Sequence, residues 1–324
     1  MKPAFSIFGV IVIACLLGCG GSMIKHSDKD AGDSLSAADS VRRSPDPVLS
    51  ADYPATKSTP AIVVKTEKDL NGYWVGKFKP DTDRQPLAAG DRDVWDYANL
   101  INVSIDSITG DKVVGHSVVA GNYRPFSGTL QKEGSIYKFV VKEPGNDKYD
   151  GAFQFNIAEG DSIVRGTWKA TGSIKIPSRK YELTKRVFTY NPNNKLGYRR
   201  FVDWDKKQKV TTSNAEDDNT YVDTAYYMTT QDLYKYNASA DLLTQEQVAN
   251  LKKPDIFILR NSIFARHGYS FKKQPLRVFF DHQPWYIPVS TDVRSLLTPL
   301  EKKNLELLVR YEKHASAYYD TFGR

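Results

Sequence analysis

The alternation of apolar and polar residues between Leu70 and Phe188 is the feature that most constrains the fold of this chain. Apolar residues recur at every second position in several short stretches, for example at Ile101, Val103 and Ile105. Successive side chains of a β-strand point to opposite faces, so this period of two predicts strands with one buried face. Glycine, asparagine and aspartate lie between the stretches and predict tight antiparallel turns.

About eight strands are expected in residues 67–190, closed into an antiparallel up-and-down β-barrel, because closure leaves no unpaired strand edge. A two-sheet sandwich built from the same strands is the alternative. Large residues at positions predicted to face inward, among them Tyr137, Phe139, Phe153 and Trp168, favour a filled interior over one that holds a small ligand.

The start of the first predicted strand, Gly72-Tyr73-Trp74, resembles the opening of lipocalins and related calycin barrels. That resemblance implies a structural role for Trp74 on the barrel floor, covered by an arginine near the last strand. Arg186 is the residue placed to match this arginine.

Residues 191–240 are predicted to connect two folded bodies and to contain extra strands. Aromatic residues and arginines are frequent there, and Arg199 and Trp204 are candidate binding residues. Exposed aromatic rings can stack on sugars, while arginine recognises acidic groups. The alternative is that these rings pack the two bodies together.

The pattern changes to that of helices in residues 241–324. Thr244 and Gln247 match a capping box, and a second capping box begins at Thr298. Gly268 is a natural helix stop. The fold class is therefore multidomain α+β, with a calycin-like barrel followed by a small, mainly helical domain.

The run Phe264-Ala265-Arg266-His267-Gly268 resembles the YARHG domain of bacterial exported proteins, with Phe264 where that motif has tyrosine. The resemblance extends through Trp285 and Tyr286 to the last predicted helix. The family implies a location outside the cytoplasm and no catalytic residues.

Four residues of this region are candidate binding residues: Arg266, His267, Trp285 and Tyr286. The alternative for the motif is structural, because Arg266 and His267 would end a helix at the negative end of its dipole. Gly268 would then adopt the left-handed conformation that closes the helix.

The N-terminus has the layout of an export signal, with Lys2 followed by an apolar run from Ala4 to Leu17. The sequence Leu16-Leu17-Gly18-Cys19 resembles the lipobox of bacterial lipoproteins. This resemblance implies that residues 1–18 are a signal peptide, that cleavage follows Gly18, and that Cys19 is lipidated.

Residues 19–66 are rich in serine, aspartate, alanine and proline and show no periodicity, so a disordered tether is predicted there. We expect this tether to anchor the protein in the bacterial cell envelope, at the outer membrane, on its periplasmic face or at the cell surface.

Cysteine usage and charge exclude several function classes. The only cysteines are Cys15 and Cys19, which removes disulfides, cysteine nucleophiles and thiolate metal sites from the predicted mature body. The net charge is +7, but the basic residues are interleaved with acidic ones rather than clustered. This distribution and the predicted export both argue against nucleic-acid binding. The five histidines show no metal-binding spacing, so neither a metal nor another cofactor is expected.

No motif of catalytic residues is present, and the leading expectation is a non-catalytic binding or interaction protein rather than an enzyme. Cell-wall glycan, lipopolysaccharide or another envelope protein are the expected partners, together with the membrane through the lipid anchor. A barrel that binds a small ligand is one alternative. An unrecognised envelope hydrolase, assembled from residues distant in sequence, is another.

Overall fold

The computed structural model describes residues 62–82, 98–197, 199–213 and 220–317. The predicted signal peptide 1–18, the cleavage site at Gly18, the lipidation site Cys19 and most of the predicted tether lie outside these residues. The described chain forms a barrel, a two-stranded sheet and a helical C-terminal region.

The barrel is closed and antiparallel, and its eight strands follow one another in sequence order. They are β1 (Gly72–Pro80), β2 (Asn99–Thr109), β3 (Lys112–Val119), β4 (Asn122–Glu133), β5 (Ile136–Lys142), β6 (Gly151–Ala158), β7 (Ile163–Ala170) and β8 (Ser178–Arg186). Strand β8 pairs with β1 and closes the circle. The predicted up-and-down barrel of eight strands is confirmed, and the sandwich alternative is wrong.

The folded part begins earlier than the predicted end of the tether at residue 66. Val64 is completely buried in the barrel core. Its N–H donates to the Asp161 carbonyl at 2.8 Å, and its own carbonyl accepts from the Gly160 N–H at 2.8 Å. The boundary moves because one apolar side chain and two backbone hydrogen bonds fix this segment to the turn between β6 and β7.

Trp74 lies on the floor of the barrel, buried, with its indole N–H donating to the Leu70 carbonyl at 2.8 Å. The predicted partner was wrong by one position. Trp74 pairs with Lys185 across β1 and β8, whereas Arg186 pairs with Tyr73. Directly opposed residues share a face, so Lys185 points inward and its ammonium lies 5.8 Å from the centre of the Trp74 ring.

Arg186 therefore points away from the interior and joins the barrel to the helical region. Its guanidinium donates to the Pro284 carbonyl and, at 3.4 Å, to the Tyr286 carbonyl. A second link runs from the Gly121 N–H to the Ser270 hydroxyl at 2.9 Å. The barrel and the helical region belong to one compact unit.

Two further strands, β9 (Val202–Ser213) and β10 (Thr220–Met228), form a separate antiparallel sheet within the predicted connecting region. Their register shifts between Tyr226 and Tyr227, as in a β-bulge. Several side chains of this sheet are exposed, since neither the barrel nor the helices cover them.

The helices are α1 (Gln245–Ala249), α2 (Lys253–Arg266), α3 (Gln274–Phe280) and α4 (Pro299–Glu312). Both predicted capping boxes are present, at the starts of α1 and α4. Gly268 follows α2 with a φ of +77°, which confirms its role as a helix stop. None of the helices in the described ranges has the length and apolar content needed to cross a bilayer.

Candidate ligand-binding site

The barrel interior is filled at one end and open at the other. Near the floor, the rings of Phe139 and Phe155 stack with their centres 4.5 Å apart. At the opposite end a cavity of about 540 Å³ opens between β1, β2 and the β3–β4, β5–β6 and β7–β8 connections. The prediction of a filled interior is therefore wrong for this end, because the predicted inward series did not include the loops that shape the mouth. A volume of roughly 300–1,000 Å³ is typical of small-ligand sites.

One wall of the cavity is apolar and aromatic. The rings of Phe78 and Trp168 meet edge to face with their centres 5.6 Å apart, and Phe153 lies 6.5 Å from each. The side chains of Ile101 and Val119 extend the same lining. These residues lie on barrel strands and point inward because side chains alternate along a strand. The wall is therefore rigid and suits the apolar body of a ligand.

A buried carboxyl group forms the polar part of the wall. Glu143 Oε1 accepts from the Ser117 hydroxyl at 2.8 Å, and Oε2 accepts from the Gly151 N–H at 2.7 Å. The Trp168 indole N–H approaches Oε2 at 3.4 Å. Burial raises the pKa of Glu143, although these hydrogen bonds and nearby Arg124 oppose the rise. The carboxyl group thereby fixes one aromatic ring and one hydroxyl of the lining.

The rim of the cavity carries basic groups. Arg124 Nε donates to Asp150 Oδ1 at 2.8 Å, so its position is fixed by an ion pair behind the lining. The Arg179 guanidinium lies 5.0 Å from the Phe78 ring centre and donates to the Phe78 carbonyl at 3.2 Å. Lys148 and Lys175 also line the opening, and Glu143 is the one acidic residue among the described residues of the lining. The rim therefore favours a ligand with a negative or strongly polar end.

Arg266, a predicted binding residue, is buried instead. Its Nε donates to the Asn194 carbonyl at 2.9 Å, and Nη1 donates to the Ser262 hydroxyl at 2.8 Å. The guanidinium lies 5.8 Å from the centre of the Trp285 ring, so these two predicted residues do meet. Burial lowers the pKa of Arg266 to about 10. The contacts give this arginine a packing role.

His267 belongs to a buried polar cluster that joins the end of α2 to the start of α4. Its Nε2 lies 2.8 Å from Glu301 Oε2, and its ring stacks on Tyr190 with the centres 4.2 Å apart. The Tyr190 hydroxyl donates to Glu301 Oε1 at 3.1 Å. Burial opposes ionisation of Glu301, yet the hydrogen bonds from His267 and the Thr298 backbone lower its pKa to about 2. The cluster is closed to a ligand.

Of the other predicted site residues, Tyr286 lies beside Trp285, whereas Arg199 and Trp204 lie apart from it. The Tyr286 hydroxyl is buried and donates to the Tyr269 carbonyl at 2.7 Å. Arg199 accepts through its carbonyl from the Tyr234 hydroxyl at 2.7 Å, whereas Trp204 lies half-exposed on β9. The structure thus brings Arg266, Trp285 and Tyr286 together, with the rings of Trp285 and Tyr286 edge to face and their centres 6.4 Å apart, but does not unite the six predicted residues in one site.

Sequence reasoning missed the lining residues Arg124, Glu143 and Arg179. A signal for two of them was present, because Glu143 lies two positions after the inward Val141 and Arg179 two positions before the inward Tyr181. A charge that continues an inward series marks the end of a barrel interior. In the described ranges, no three histidine, cysteine, aspartate or glutamate side chains come together as a metal site would require.

Comparison with known proteins adds two likenesses. Fatty-acid-binding protein 1 from Echinococcus granulosus is structurally similar over 36% of this chain and 97% of its own, with 11% sequence identity and a TM-score of 0.22. No curated protein matches the sequence. The YARHG domain family matches residues 230–313, which confirms the predicted C-terminal domain and agrees with a location outside the cytoplasm.

Proposed function

We propose that this protein is a non-catalytic ligand-binding protein of the bacterial cell envelope, tethered through a lipid on Cys19, whose barrel takes one small ligand. The observation that carries the proposal is the cavity of about 540 Å³ at the mouth of the barrel. It favours the small-ligand alternative over a purely macromolecular partner, since a side-chain-filled barrel would offer no such volume.

The lining indicates the ligand's chemistry. An apolar body would pack against Phe78, Phe153 and Trp168, and a negative or polar end would lie near Arg179 and Lys148 at the rim. Glu143 already accepts three hydrogen bonds from the protein, so it holds the wall in place more than it recognises the ligand.

The envelope location rests on sequence. The lipobox-like stretch that ends at Cys19 supports lipid anchoring, and the YARHG match over residues 230–313 supports export. One acyl chain binds a membrane weakly, whereas two or more hold firmly, so a lipoprotein-type anchor would keep the barrel at the membrane.

We also propose that the protein is not a catalyst; the alternative is an envelope hydrolase. Glu143 is a carboxyl group with a raised pKa in a cleft, as a hydrolase would need. However, no histidine or second acid is among the described residues that line the cavity. Within the described part of the chain, the one buried histidine–glutamate pair, His267 with Glu301, lies in the closed cluster of the helical region.

The proposal is tested by native mass spectrometry of the purified chain after incubation with an envelope extract. We expect a discrete added mass that disappears in Val119→Trp, which places an indole in the cavity. The matched control is Val140→Trp at an outward position of β5 that is 42% exposed, and it should keep the ligand. A native chain with no added mass, or equal binding by both variants, would contradict the proposal.

A second candidate function, binding of cell-wall glycan, is favoured by the sheet of β9 and β10. Trp204, Tyr221 and Tyr226 are 37%, 55% and 38% exposed there. Exposed rings on a small sheet can stack on sugars. We expect Trp204→Ala with Tyr226→Ala to reduce co-sedimentation with purified cell wall. Unchanged sedimentation, or capture only by lipopolysaccharide or by an envelope protein, would exclude the glycan.

A further inference from the structure

A second cavity, of about 250 Å³, lies where the outer face of the barrel meets helix α3. Lys77 and Lys79 reach it from β1, and Gln274 and Arg277 reach it from α3. It shares Asn99 with the barrel-mouth cavity, but its basic groups are its own. We call it the junction cavity.

Two kinds of group in the junction cavity have no hydrogen-bond or ion-pair partner among the described residues. The buried Gln274 Nε2 donates no hydrogen bond to any described residue. Lys77 and Lys79 are both exposed and form no ion pair with a described residue. They lie two positions apart on β1 and so share its outward face. Unused donors and unpaired ammonium groups around one volume call for an acceptor with negative charge.

We propose that the junction cavity binds a compact oxyanion of the phosphate type, held by Lys77, Lys79 and Gln274. Arg277 contributes a positive charge at a fixed position, because its Nε donates to Asn99 Oδ1 at 3.1 Å and Nη1 donates to the Lys272 carbonyl. The volume exceeds that of phosphate alone, so the oxyanion can carry a small organic group. This site does not depend on the ligand proposed for the barrel mouth.

One acidic residue of the lining has to be compatible with a bound anion. Asp281 Oδ2 accepts from the Leu100 N–H at 3.1 Å. Burial raises the pKa of Asp281 to about 7, although the Leu100 hydrogen bond and Arg277 oppose the rise. Tyr286 and His282 also lie near this carboxyl. Burial raises the pKa of Tyr286 and lowers that of His282, so both favour their uncharged forms. A large fraction of Asp281 is thus uncharged at neutral pH, and the net charge of the cavity is positive.

The test is a thermal-shift and calorimetric titration of the full chain with inorganic phosphate. We expect phosphate to raise the melting temperature of the native chain. The double variant Lys77→Ala with Lys79→Ala should raise the Kd for phosphate by about tenfold or more. The matched control is Lys142→Ala with Lys169→Ala, which removes two exposed strand lysines outside the cavity and should leave Kd unchanged.

A second variant, Asp281→Asn, tests the site through its acidic residue rather than through its lysines. Asp281→Asn keeps an acceptor for the Leu100 N–H and should bind phosphate more tightly than the native chain above pH 7, with little difference near pH 5. An equal response of both lysine variants, or no response of the native chain, would overturn the proposal. Binding to phosphatidate vesicles without any response to free phosphate would also overturn it, since a membrane needs a surface rather than a cavity.

Discussion

Two buried glutamates, one in each half of the molecule, show how differently the barrel and the helical region use charge. Glu301 has a lowered pKa because His267 and a backbone N–H donate to its carboxylate. Glu143 has a raised pKa because burial outweighs its hydrogen bonds. In the helical region the ionised Glu301 thus links α2 to α4. In the barrel, Glu143 is buried beside an open cavity at an energetic cost to its charged form. The most conspicuous motif in the sequence marks packing, and the candidate site lies elsewhere.

The largest expected effect comes from Glu301→Gln. Gln has one acceptor oxygen and would place an NH₂ group against donors from His267, Thr298 or Tyr190. We expect a loss of about 3 kcal/mol in the free energy of unfolding at pH 7, measured by urea denaturation. Glu306→Gln, exposed on the same helix, should change little.

The pH dependence of this effect has a definite sign. The folded-state pKa of Glu301 is about 2, below its ordinary value of 4.5. Its stabilisation is therefore present above pH 4.5 and is lost as the pH falls towards 2. The native chain should lose its advantage over Glu301→Gln in that range, and a constant difference would contradict a link through ionised Glu301.

Gly268→Val should have the next largest effect. A Cβ atom here would lie 2.4 Å from Val289 Cγ2, and the φ of +77° disfavours a branched side chain. We expect a loss of about 2–3 kcal/mol, from strain and overpacking together, in the same denaturation experiment.

Gly134→Val separates the two causes, because Gly134 has a φ of +59° and no atom within 4 Å of a new Cβ. This control should show the strain alone, at about 1–2 kcal/mol. Equal losses for the two variants would mean that the close contact at Gly268 relaxes at no cost.

Glu143→Gln is the matched change in the barrel, and its sign should be opposite. The Ser117 hydroxyl can rotate to accept from the new NH₂ group, while the amide oxygen accepts from Gly151. Because the pKa is raised, the native contribution of Glu143 is lost as the pH increases. We expect the variant to be more stable than the native chain at pH 8 and equal to it at pH 4, as measured by urea denaturation at both pH values. Destabilisation at pH 8 would indicate that the hydrogen bonds to Glu143 outweigh the cost of its burial.

The smallest effect concerns the barrel floor. Lys185→Ala removes an ammonium group 5.8 Å from the Trp74 ring centre and should cost about 0.5–1 kcal/mol. The indole N–H resonance of Trp74 should shift in the NMR spectrum of this variant. Arg186→Ala should leave that resonance in place, because Arg186 contacts the carbonyls of Pro284 and Tyr286.

Most of the fold could be predicted from local sequence rules. Strands, capping boxes and the stop at Gly268 depend on periods and on residues close in sequence. The residue that covers Trp74 could not be predicted by these rules. A shift of one residue in the pairing of β1 with β8 exchanges Lys185 for Arg186. The register of two strands that are distant in sequence is set by the whole barrel.

The candidate site was harder to predict than the fold. Glu143 and Arg179 continue inward series, so their direction follows from alternation once the strands are known. The cavity itself depends on how the β5–β6 and β7–β8 connections stand above the strand ends, and no periodic pattern describes these loops. Arg266 and His267 were misleading because a buried polar cluster and a binding site use the same residue types.

The fixation of Val64 has a mechanical consequence. Tension that reaches Val64 from its N-terminal side would load its two hydrogen bonds to Gly160 and Asp161, at the closed end of the barrel. The mouth, with Arg179 and Trp168, lies at the other end of the strands. Pulling on the chain would therefore peel one short segment from the floor before it deformed the entrance, and the entrance would keep its shape under load.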